Sequence, residues 1–126
     1  MSNGTVEEFR PEIDEIKKLF GNATQRIQDG GSVNLGGKSV SGTGDEFQRM
    51  TNDTAEIINY VLGHVSDDEF DPAIKLCAEV FKPVGSFLHI CVQKVTGLSD
   101  VLKEKLKDFV ELGKNLGADI SSDLNP

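Results

Sequence analysis

The chain has 126 residues, a formal charge of −8, no Trp and a single Tyr, with a pI near 4.7. At that length one domain with an aliphatic core completed by Phe is the simplest organisation. The acidity argues against a nucleic-acid surface, which needs clustered Lys and Arg, and against charge-driven adhesion to anionic lipid.

The first predicted helix occupies 5–28. Thr5 and Glu8 have the spacing of a capping box, and Phe9, Ile13, Ile16, Phe20, Ala23 and Ile27 follow at helical intervals, with Leu19 widening the apolar face. Pro11 complicates the start, because a proline that deep in a helix removes a hydrogen bond and crowds the preceding turn. The helix is therefore expected to begin properly near Pro11, with an earlier start as the alternative.

Residues 29–43 form a glycine-rich loop. Val33 and Leu35 on one side and Val40 on the other flank Gly36-Gly37, the pattern of a short β-hairpin whose tight turn needs positive φ. The alternative is a mobile glycine linker.

The second helix is expected over 44–65, with Thr43 and Glu46 as a second capping box and Phe47, Met50, Thr54, Ile57, Ile58, Val61, Leu62 and Val65 on one face. An acidic corner follows, in which Asp71 can cap and Pro72 takes the favoured first helical position. The third helix is expected over 72–95. Within 74–98, Ile74, Cys77, Phe81, Val84, Leu88, Cys91, Val95 and Leu98 recur in alternating steps of three and four, a seam that packs against another helix. Pro83 and Gly85 interrupt it, so a kink is expected at 83–85, as packing curvature rather than as a hinge. Gly97 stops this helix, and Ser99-Asp100 opens a fourth over 100–116, with Leu102, Leu106, Phe109 and Val110 inward and Lys and Glu outward. Gly117 closes it. Residues 117–126 read as a tail that Ile120 and Leu124 can dock.

Four helices with short connections predict an all-α antiparallel four-helix bundle, or five helices if Pro83 breaks the third completely. No signal-type apolar run opens the chain, and the longest uncharged run in the seam, 83–93, is too short for a bilayer, which takes about 20 residues. A cytoplasmic protein is expected, with non-classical secretion left open. In one straight helix Cys77 and Cys91 stand roughly 21 Å apart, out of disulfide reach. They read as two buried, reduced thiols.

Candidate chemistry is sparse. Gly37-Lys38-Ser39 matches the end of a phosphate-binding P-loop, but Ser32 stands where the first glycine belongs and no strand precedes it. Asp67, Asp68, Glu69 and Asp71 suggest a calcium loop, yet the mid-loop glycine is missing and Ala78 holds the place of the closing glutamate. His64, Cys77, His89 and Cys91 have zinc-binding atoms without zinc-binding spacing. Thiols on an apolar stripe are poor nucleophiles. No catalytic residue, cofactor or metal is expected.

The expected function is therefore a non-enzymatic helical interaction or oligomerisation module. The third helix is apolar on more than its seam, because Val80, Phe87, Ile90 and Val92 lie off the line, so it must be buried on several sides, either as the central helix of the bundle or by a partner subunit. Phe81, Val84, Phe87, Leu88, Cys91, Val92 and Val95 are the expected association surface, with this chain itself or another helical protein as partner. The alternative is a bundle that opens at Pro83, Gly85 and Gly97 to bind lipid, a membrane or an apolar ligand. Finally, two helices joined by a glycine-bearing turn, 30–44 followed by Phe47, resemble the small secreted helical hairpins of type VII secretion. This chain departs from that pattern in having no Trp, and hence no Trp-x-Gly turn; the resemblance covers about half of it and implies secretion as a second alternative.

Overall fold

A computed structural model describes residues 4–30 and 39–126, and among them the protein is an all-α bundle. Its helices are α1 (Val6–Gln28), α2 (Val40–His64), α3 (Phe70–Ala78), α4 (Phe81–Lys94), α5 (Leu98–Lys105) and α6 (Lys107–Asn115). Short 3₁₀ turns at Asp67–Glu69 and Ser121–Leu124 complete it. The pairs α3–α4 and α5–α6 each form one interrupted rod, so four rods lie side by side.

Their directions follow from cross-contacts. Going up α1, Val6 meets Glu69, Lys17 meets Glu79 at 2.7 Å, and Phe20 meets Phe87 with ring centroids 5.5 Å apart, so α1 and α3–α4 run the same way. Phe9 packs edge-on against Tyr60, and Gly4 N–H donates to the His64 carbonyl at 2.9 Å, so α1 and α2 run oppositely. Gln48 reaches the Lys105 carbonyl, and Gly44 lies against Val101. The order is up, down, up, down.

Helix α1 starts at Val6 and runs through Pro11, rather than beginning near it. The Glu7 carbonyl that would receive a bond from position 11 lies on an exposed residue, where water can serve it. The expected Thr5 box does not form, since the Thr5 side chain makes no cap bond. Instead the carboxylate of Glu69, from the acidic corner, accepts from Val6 N–H at 3.1 Å. A distant anion serves the positive end of the helix.

Helix α2 begins four residues before the expected start at 44. Ser39 is its N-cap, with Oγ accepting from Gly42 N–H at 3.0 Å. Thr43, expected as the cap, sits a turn inside and donates back to the Ser39 carbonyl. Val40 and Ser41 are helical, so the second strand of the expected hairpin is not formed. The rest of that hairpin, 31–38, lies outside the described residues.

The interruption of the third rod falls at Glu79 and Val80, not at 83–85. Pro83 occupies the first turn of α4, where a missing N–H costs least. The strain is relieved upstream by i→i−3 bonds, Glu79 to Leu76 and Val80 to Cys77, while both residues keep right-handed helical angles. The rod bends and continues, and Cys77 and Cys91 are free, buried thiols.

The fourth rod, expected as one helix over 100–116, is broken at Leu106. Gln48 Nε2 donates to the Lys105 carbonyl at 3.0 Å, the group that position 109 would otherwise bond; a side chain has entered the helical ladder. Gly97 (φ +86°) opens α5, and Gly117 (φ +90°) ends α6. Ala118 N–H bonds the Gly113 carbonyl at 2.7 Å and Gly117 N–H that of Lys114 at 3.0 Å, the paired bonds of a Schellman motif.

The segment 117–126 is docked. Ile120 and Leu124 are buried, the Ser99 hydroxyl donates to the Leu124 carbonyl, and His89 Nδ1 donates to that of Asp123 at 3.1 Å. A carbonyl only accepts, so Nδ1 carries the proton. No helix among the described residues is long and apolar enough to cross a membrane.

Candidate functional site

The residues expected to form an association surface lie in the chain's own core. Phe81, Val84 and Cys91 are fully buried, Leu88 and Val92 nearly so, and Val95 is half-buried against the same cluster. An all-round apolar helix is satisfied here by being central, with α1, α5 and the docked tail packed around α4. Phe87 also contributes to a surface feature. Pro83 is half-buried in the first turn of α4, and Gly85 is covered by Ile120 and Asp123 of the tail. Gly97 is the left-handed cap of α5.

The surface feature is a groove between α1 and α2. Helix α1 packs on α4 and α2 packs on α5, and between their middles the two long helices stand apart. Ile16, Phe20, Ala23, Thr54, Ile57 and Phe87 line a cavity of about 300 Å³, with Leu19, Met50 and Asp53 at its edges. A second cavity of about 330 Å³ shares Ile57 and is lined by Glu12, Glu56 and Tyr60. Ile57 lines both, so the two openings adjoin along the α1–α2 face.

Its floor is rigid. Phe87 packs edge-to-face on Phe20 and, tilted, on Phe47 at 5.7 Å. Thr54, whose hydroxyl is satisfied by the Met50 carbonyl at 3.0 Å, presents its methyl without an unmet donor. Apolar side chains stay exposed along the edges, Leu19 59%, Tyr60 53% and Met50 38%, beside the exposed acids Glu12, Asp53 and Glu56.

Most of these residues lie on the predicted apolar faces, Ile16, Phe20 and Ala23 on the first helix and Met50, Thr54 and Ile57 on the second; Tyr60 and Phe87 lie off them. Leu19, the extra apolar residue on the first helix, was the readable signal. Met50 and Ile57 were assigned inward, and only the separation of α1 from α2 turns them to a surface.

The other candidate residues are engaged structurally. Burial pushes the Cys77 thiol up to about 11 and that of Cys91 up to about 12, away from nucleophilic use. His64 Nδ1 donates to the Tyr60 carbonyl at 2.8 Å and its ring stacks on Tyr60. Among the described residues no three of His, Cys, Asp and Glu converge as a metal site. Of the P-loop-like run, Ser39 is the α2 cap, and Gly37 and Lys38 lie outside the described residues. In the acidic corner, Glu69 is committed to the end of α1. No protein-family model, curated protein or solved structure matches this chain.

Proposed function

We propose that the protein is a non-enzymatic helical interaction module that receives a helix of a partner protein in the α1–α2 groove. One observation carries this reading: an apolar groove over Ile16, Phe20 and Ile57 with Leu19 and Met50 exposed on opposite edges. Exposed apolar residues are ordinary singly, whereas a rimmed apolar trough between two helices is the shape that accepts a third. From Glu12 to Ala23 the adjoining openings run about 16 Å, at the helical rise per residue, which matches about eleven residues of a docked helix. Buried thiols and backbone-engaged histidines support a role without covalent chemistry.

Backbone amide chemical shifts of the full chain, recorded against an amphipathic peptide with uncharged Gln flanks, test the reading. Shifts confined to 12–23 and 50–60, lost in the Leu19→Gln/Met50→Gln variant, are expected. An unperturbed groove would refute it.

A further inference from the structure

The groove's charge selects its occupant, an inference that rests on the docking role above. Glu12 lines the trough on the α1 side, and Glu15 stands four residues before the edge residue Leu19, hence on the same side of the helix. Asp53 and Glu56 line it on the α2 side. All four are exposed, and none of them makes an ion pair among the described residues. Of the nearby cations, Arg49 pairs with Glu46 and Lys17 with Asp14 and Glu79, while Lys18, three residues after Glu15, makes no ion pair among the described residues. An apolar floor thus lies between two unneutralised acidic edges.

We propose that the groove binds a cationic amphipathic helix. Apolar residues of that helix at i, i+3 or i+4, and i+7 enter the trough over Ile16, Phe20 and Ile57, and Lys or Arg on its two flanks meet Glu12 and Glu15 on one side and Asp53 and Glu56 on the other. Charge complementarity of this kind sets partner choice and association rate. A second copy of the chain is a poor occupant. A two-fold contact through this face would set the same carboxylates against each other, in a chain already carrying −8. A fatty acid meets the same objection, since its carboxylate would sit at an acidic edge.

The experiment uses the full chain and three synthetic helical peptides with identical apolar positions and Lys/Arg, Gln or Glu flanks. Affinities are measured by fluorescence anisotropy at low salt and at about 0.5 M salt, where exposed charges are screened within a few ångströms. The cationic peptide is expected to bind roughly tenfold or more tightly than the Gln peptide at low salt, with most of that advantage lost at high salt. Asp53→Asn/Glu56→Gln should reduce the ratio of cationic-peptide to Gln-peptide affinity several-fold; Asp67→Asn/Asp68→Asn, which removes equal charge elsewhere, should leave that ratio as it is. Circular dichroism confirms that these surface variants are folded. Equal binding of the Gln and cationic peptides, equal sensitivity to both charge variants, preferred binding of the Glu peptide, or self-association through the groove would overturn the charge inference and leave the dock standing. If none of the three peptides binds, the docking role itself fails.

Discussion

Replacing glycine by alanine at two helical positions of this protein should have opposite effects. Gly21 lies exposed inside α1, and a Cβ there meets nothing within 4 Å. Alanine removes backbone freedom from the unfolded chain at no steric cost, so Gly21→Ala should stabilise by about 0.5–1 kcal/mol. Gly113 lies buried in α6 at the start of its Schellman motif. A Cβ there would stand 2.9 Å from two ring carbons of Phe81 and 2.5 Å from the Ala118 carbonyl oxygen.

Neither neighbour can easily give way. Phe81 is fully buried and stacked on Phe109 at 4.7 Å, and the Ala118 backbone is held by its bond to Gly113 itself. Overpacking of that kind costs about 1–3 kcal/mol, which exceeds the propensity gain. Gly113→Ala should therefore destabilise by about 1 kcal/mol net, a fall in Tm of about 3–5 °C for a chain of this size. Urea unfolding followed by circular dichroism measures both changes. Two shifts of the same sign and size would show that the Gly113 contact exerts no steric constraint, and the packing argument would fail.

Leu88→Ala should cost about 2–5 kcal/mol, because Leu88 is 1% exposed inside the α1–α4 packing. Light scattering over a dilution series should show no change in association state for that variant; a dissociated oligomer would place α4 at an interface after all. The two thiols predict a pH dependence. Burial raises Cys77 and Cys91 above the ordinary thiol range, so the native state keeps both protonated where the unfolded chain releases protons. Their contribution is fully present below about pH 9 and is lost as pH rises toward about 11 for Cys77 and about 12 for Cys91. In Cys91→Ala the decline in stability over that window should be shallower, and an unchanged slope would contradict the assignment.

Local spacing was enough to read the helices themselves. The apolar periods of 74–98 and 100–116 place Phe81, Leu88, Leu102 and Phe109 inward, and Gly117 is legible as a cap because only a left-handed residue closes a helix with that pair of bonds. Those signals act within a few residues, which is why they survive without a fold. The breaks did not reduce to local chemistry. The rod containing Pro83 is interrupted upstream at Glu79 and Val80, where i→i−3 bonds replace the α-helical pattern, and the α5–α6 break coincides with Gln48, a side chain 57 residues away from the carbonyl it captures. Glu69 capping Val6 across the bundle is of the same kind.

The groove lies at the far end of that scale. Leu19, Met50, Ile57 and Phe87 are ordinary apolar residues on three separate helices, and nothing in their spacing distinguishes a core contact from an open wall. The sequence by itself determined an all-α chain with one helix apolar on nearly every side, because helical period and side-chain hydrophobicity are properties of neighbouring residues. Whether that helix faced a partner or its own bundle was decided by tertiary packing: α1, α5 and the docked tail surround α4, and the opening between α1 and α2 lies where α1 packs mainly on α4 and α2 mainly on α5.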